Sequence, residues 1–143
     1  MKSMKRLHFF MRSERGDAFI GLLFAFLFMM IIALLAVSII QHNLIKVNLK
    51  TAANETLQIM KVENGADVKT KQRFDELLRD MNMNPTKVSF SATPKTTQRG
   101  DKIEITAVQE IEVIGLKAIG IEYIFPVRVH VSGLAHKYIR EGG

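Results

Sequence analysis

Residues 18–40 carry no charged side chain, and only Gly21 and Ser38 among them fall outside the apolar set. This run restricts the chain more than any other feature. Coiled into a helix, its 23 residues measure about 34 Å, enough to cross a hydrocarbon core of roughly 30 Å. Leu, Ile, Phe or Val fill 15 of the 23 positions, each favouring insertion by about 0.3–0.6 kcal/mol near the helix centre. A helix buried in a soluble core is rarely apolar on every face. The sequence therefore predicts one membrane span with Ala18 and Ile40 as its limits. A cleaved secretory signal fits less well, because its apolar region is about 7–15 residues long. The one small-x-small site, Ala36-Val37-Ser38, lies inside the apolar block.

Charge orients the span. Lys2, Lys5, Arg6, Arg12 and Arg15 precede it, against Glu14 alone, whereas Lys46 and Lys50 follow it. The excess of basic residues on the N-terminal side predicts that this end stays in the cytoplasm and residues 41–143 lie outside. The net charge of +6 is concentrated there, since residues 1–15 contribute +4. No basic stripe interleaved with aromatics remains to grip a nucleic acid. Cysteine is absent, which removes disulfides, thiolate metal sites and thiol nucleophiles together.

Beyond the span the periodicity stays helical as far as Glu63. Asn43, Lys46, Lys50, Asn54, Gln58 and Lys61 step by three and four along one face, and Ile45, Leu49, Ala53, Leu57 and Met60 along another. A single helix is expected from about Asp17 to Glu63, stopped by Asn64-Gly65. Its apolar stripe packs either against the chain's own globular part or against copies of the same helix, and periodicity alone does not separate the two. A shorter helix is expected from Asp67 to about Met81, ended by Asn84-Pro85. The period then changes to two. Val88 to Ala92, Ile103 to Val113 and Ile121 to Ser132 each alternate apolar and polar residues, with a break at Val108 and Gln109 and with Pro126 marking an edge or a bulge. The fold class expected is α+β: a long transmembrane helix with an amphipathic extension, a short second helix, and a small antiparallel sheet of about three strands covered on one side. The organisation is a basic leader over 1–16, the spanning and extended helix over 17–63, and an extracytoplasmic domain over 64–143. The connector from Ile114 to Gly120 is unusually apolar; a buried turn, a membrane-proximal tip and a subunit contact all account for it.

Chemistry is sparse. His8, His42, His130 and His136 are scattered without metal-ligand spacing, and no phosphate loop, nucleophile elbow or dinucleotide fingerprint occurs. No catalytic, cofactor-binding or metal-ligating set is assigned, and the chain is not expected to be an enzyme or to need a cofactor.

The order of a basic leader, Arg12-Ser13-Glu14-Arg15-Gly16, an apolar helix, its amphipathic extension and a late Phe125-Pro126-Val127-Arg128-Val129-His130-Val131-Ser132-Gly133 strand resembles the TadE-like minor pilins (pseudopilins) of tight-adherence, type IV pilin-like systems. The resemblance implies a non-enzymatic structural subunit of a pilus or secretion apparatus. It would be held in the bacterial cytoplasmic membrane before assembly and exposed at the cell surface after it. It further implies cleavage by a prepilin peptidase between Gly16 and Asp17. Its partners would be lipid, other pilin-like subunits and an assembly platform with an ATPase, with no nucleic acid. Gly21 and Ala25 are candidate points of close helix packing in the span, as are Ile45, Leu49, Ala53, Leu57 and Met60 beyond it. Pilins of this type commonly carry Glu at the fifth mature position, which here is Gly21. The alternative is a permanently anchored single-pass protein whose external domain binds a partner in a secretion or conjugation system.

Overall fold

A computed structural model describes residues 2–95 and 98–136, with side chains from Gly16 onward. The fold is α+β, as expected. Its spine is helix α1 (Lys2–Glu63), 62 residues long and therefore about 93 Å from end to end. The helix starts well before Asp17. Residues 2–15 contain neither Gly nor Pro, and Gly16 lies in open helix with nothing within 4 Å of where a Cβ would stand.

Two residues in the left-handed region end α1: Asn64 at φ 58° and Gly65 at φ 126°. The Gly65 N–H donates back to the Met60 carbonyl at 3.0 Å, closing the helix end. A Cβ on Gly65 would stand 2.2 Å from the Pro94 carbonyl oxygen, so glycine is required for packing as well as for φ. Helix α2 (Val68–Asp80) begins at a capping box: Thr70 N–H donates to Asp67 Oδ1 at 2.9 Å and Asp67 N–H to Thr70 Oγ1 at 3.1 Å. These bonds satisfy two otherwise orphaned amides. Phe74, Leu77 and Leu78 form its buried face. A 3-10 turn over Pro85–Lys87, capped by Asn84, leads into the sheet.

The sheet comprises β1 (Val88–Ala92), β2 (Lys102–Glu112) and β3 (Ile124–Leu134), antiparallel and in the order β1-β2-β3. Pro126 stands opposite Glu110 on the edge strand β3, where a missing N–H can face away from the ladder. Strand β2 runs through Val108 and Gln109, where the alternation of residue types lapses, and both pair in register on both sides, with Ser89 and Val88 and with Arg128 and Val127. Gln109 thus keeps the odd-numbered, helix-facing position. Strand β3 starts at Ile124 rather than Ile121, because Gly120, at φ 82°, turns the chain and the Ile121 N–H bonds back to Leu116.

One face of the sheet lies on α1 and α2. Ile103, Ile105 and Ala107 of β2 and Val127, Val129 and Val131 of β3 meet Leu49, Ala53, Leu57 and Met60 of α1 and Phe74 and Leu78 of α2 in one core. The Phe74 and Phe90 rings lie 4.6 Å apart. This two-layer packing attaches the sheet to the C-terminal half of α1 and leaves residues 16–30 bare.

Candidate functional site

The bare half of α1 is the most unusual surface of the molecule. Every side chain from Gly16 to Met30 is exposed, including Phe19, Leu22, Phe24, Phe26 and Met29. In water, so large an apolar surface would be a strong liability. This part of α1 is long and apolar enough to cross a membrane and would fit a lipid bilayer. Gly16 and Asp17 stand at its start, both exposed and both helical. Gly21 and Ala25 are exposed on the helix surface, with nothing of the chain's own within 4 Å of a Cβ on Gly21. The side chains of Lys2, Lys5, Arg6, Arg12 and Arg15 lie outside the described residues.

The stripe beyond the span is already in use. Leu49, Ala53, Leu57 and Met60 are buried and Ile45 is half-buried against the chain's own sheet and second helix. Of the two readings left open by periodicity, packing within the chain accounts for this stripe, and these five side chains are not free for a copy of α1. The opposite face of the extension, with Leu44, Val47 and Val62, is exposed.

The apolar connector adopts a defined structure that its composition did not specify. It folds into one helical turn, α3 (Ile114–Lys117), at the end of the β2–β3 hairpin nearest the span. There it docks on α1. A Cβ on Gly115 would stand 2.8 Å from Leu35 Cδ2 and 3.0 Å from the Leu35 backbone nitrogen, so only glycine permits this approach. Gly115 N–H faces Ser38 Oγ at 3.5 Å, and the same hydroxyl donates to the Leu34 carbonyl at 3.0 Å. Ser38, the one hydroxyl in the apolar run, thus serves the docked turn. Next to it, the His42 and Phe125 rings meet edge-on at 5.1 Å. An apolar groove of about 360 Å³ opens between Leu35, Ile39 and His42 on the helix and Ile111, Val113 and Phe125 on the hairpin. The docked turn therefore meets α1 at Leu35 and Ser38, inside the limit set at Ile40. The signals in the sequence were the apolar connector and the isolated Ser38, but neither specifies the pairing.

The charged groups serve architecture. Asp67 accepts the backbone N–H of Thr70 and the ammonium of Lys95 at 3.0 Å, which together hold its carboxyl well below the usual carboxylate range. Lys95 also reaches Glu63 at 3.3 Å, and its pKa is raised by Asp67 first and Glu63 second. This ties the end of α1, the start of α2 and the β1–β2 loop together. On the solvent face of the sheet, Lys102 bonds Glu104 and lowers its pKa, and His130 lies between Thr106 Oγ1 at 3.1 Å and Glu104 at 3.6 Å. Among the described residues no group of three or more His, Cys, Asp or Glu comes together to hold a metal ion.

The sequence profile of a domain of unknown function, DUF4320, matches residues 25–140, most of the chain. The protein belongs to the DUF4320 family. No curated protein and no solved structure matches it. The DUF4320 match starts within the bare half of α1 and covers the docked hairpin, so the helix–hairpin unit belongs to the family domain.

Proposed function

We propose that this DUF4320 protein is a membrane-anchored, non-enzymatic structural subunit of the TadE-like pilin type. One observation carries the reading: a single unbroken helix is bare and apolar from Ala18 to Met30 and, from Leu49 onward, serves as the spine of a small sheet. Such a subunit is held in lipid by the bare half and presents the sheet outside. On assembly the same apolar surface exchanges lipid for the helices of other subunits, two environments of similar apolarity, so transfer need not cost much. The excess of basic residues in the leader supports an orientation with the sheet outside the cytoplasmic membrane, and an ATPase-driven platform would supply the work of extraction.

Processing by a prepilin peptidase would fall between Gly16 and Asp17. A protease reads an extended backbone, and Gly16 lowers the cost of unwinding the helix there by about 1 kcal/mol relative to Ala. Gly21 leaves no carboxylate to pair with a neighbour's freed amine, so register between subunits would rest on shape, through the Phe19, Phe24, Phe26 and Phe28 side chains. That missing acid favours the second reading, a permanently anchored protein whose sheet binds a partner in a secretion or conjugation apparatus. Mass spectrometry of the N-terminus of the protein from its native membranes tests the choice. A start at Asp17 supports the pilin-like subunit; an intact leader supports the permanent anchor.

A further inference from the structure

The docked turn lies at a level of α1 that lipid should occupy. Leu35, its contact point, is 17 residues beyond Ala18, about 26 Å along the helix. A hydrocarbon core starting at Ala18 is roughly 30 Å deep. Gly115 therefore stands about 4 Å inside the far edge, and deeper if the helix tilts by the usual ~20°. We infer that the β2–β3 tip, residues 114–124, is a second membrane element that sits in the outer-leaflet boundary beside the span. This rests on the bare half of α1 being membrane-inserted, but not on the pilin reading.

Two independent features of the tip suit lipid. Its large apolar side chains face outward: Ile119 is 50% exposed, Ile121 51%, Tyr123 53% and Ile124 55%. Tyr123 has the amphipathic ring favoured at such boundaries. Most of the turn's backbone N–H groups are also paired within the chain. Non-helical segments are tolerated at membrane depth only when their polar groups are satisfied internally. From Leu116 to Ile121 each N–H donates within the turn, to Val113, Ile114, Leu116 or Lys117, at 3.0–3.1 Å; Val113 N–H donates to Tyr123, and Gly115 N–H faces Ser38. The tip carries two charged groups. Lys117 bonds the Glu112 carboxylate at 2.6 Å on a stem long enough to keep the pair toward water, and the exposed Glu122 adds a second carboxylate near the same ammonium, so this charged side of the tip faces the aqueous boundary. Packing on the span itself makes the tip continuous with the lipid-facing surface and favours the bilayer over a protein partner as its occupant.

The chain contains no tryptophan, so single tryptophans report without background. Ile121→Trp and, separately, Ile119→Trp are placed on the tip, Phe24→Trp in the span, and Val68→Trp at the start of α2. Each full-length protein is reconstituted in phosphatidylcholine–phosphatidylglycerol vesicles whose acyl chains carry bromine near the headgroup end or near the methyl end. Both tip variants are expected to emit in the blue and to lose most of their emission to the shallow bromine, and much less to the deep one. Phe24→Trp should be quenched and Val68→Trp should not. Unquenched tip variants beside a quenched Phe24→Trp overturn the immersed tip and leave the span standing. Tip emission that turns blue only at high protein-to-lipid ratio, without quenching, overturns it in favour of a protein partner. If Phe24→Trp is also unquenched, the span fails and the tip proposal with it.

Discussion

Replacing Gly115 with alanine tests the contact on which the membrane-side architecture depends. The new Cβ would lie 2.8 Å from Leu35 Cδ2 and 3.0 Å from the Leu35 backbone nitrogen, where ordinary contact begins at 3.4 Å. The side-chain overlap of about 0.6 Å can be relieved by rotating Leu35, but the backbone overlap of about 0.4 Å cannot, because that nitrogen is fixed in the helix. The turn must retreat as a unit and weaken the Gly115–Ser38 approach. Overpacking of this kind costs about 1–3 kcal/mol. The cost is local, since the core around Phe74, Ile105 and Met60 lies further along α1. Opening of the tip should therefore rise about 5- to 150-fold while global stability changes little. Hydrogen exchange of amides 115–121 in detergent, with trypsin cleavage after Lys117 as a second readout, measures this. Leu35→Ala added to Gly115→Ala should recover part of the loss, namely the part due to the side chain. Exchange and cleavage unchanged by Gly115→Ala would show that the turn does not rest on α1 and would refute the reasoning.

Two further outcomes concern the domain itself. Phe74→Ala empties a fully buried site between α2 and Phe90 and should destabilise the sheet domain by about 3–5 kcal/mol in denaturant melts, leaving the bare part of α1 helical by circular dichroism. Asp67→Asn removes a carboxylate whose folded pKa lies below its unfolded value. A depressed acid stabilises the fold above its unfolded pKa of about 4, and that contribution is lost as the pH falls below it. The wild-type protein should therefore lose stability in acid more steeply than Asp67→Asn, and melts between neutral pH and about pH 3 should show the two curves converging.

Much of this architecture was legible in the residues because local physics dictates it. An uncharged run longer than a bilayer's hydrocarbon core, a change of period from 3.6 to 2 after Asn84, and a proline on the last strand each carry their meaning without knowledge of neighbours. Where two structures share one pattern, reading stopped. The Ile45, Leu49, Ala53, Leu57, Met60 stripe suits a sheet or a second helix equally, and only the placement of Ile103, Ile105 and Val129 against it resolves the choice. The leader illustrates a different limit, since nothing in residues 2–15 opposes helix and the polar boundary at Gly16 is a change of environment rather than of conformation.

The candidate site was less legible than the fold, for a physical reason. Its elements are individually unremarkable: a glycine in a loop, a serine in a span, a histidine just past it. Their meaning comes from lengths that match across the structure. From Ile103 to Ile111, β2 advances about 27 Å at 3.4 Å per residue, and from Lys61 to His42, α1 returns about 28 Å at 1.5 Å per residue. The hairpin, anchored at Gly133 beside Lys61, thus reaches His42 through Phe125 with its last turn still to come. That turn has nowhere to go but onto Leu35 and Ser38, below the end of the apolar run. The strand length sets the depth of the tip, so deleting two antiparallel residue pairs from β2 and β3, which preserves the alternation of faces, would withdraw it by about 6.8 Å, more than the whole of its immersion. An apolar connector is therefore required at this end of the hairpin and not at the β1–β2 end, where the loop from Thr93 to Gly100 is polar.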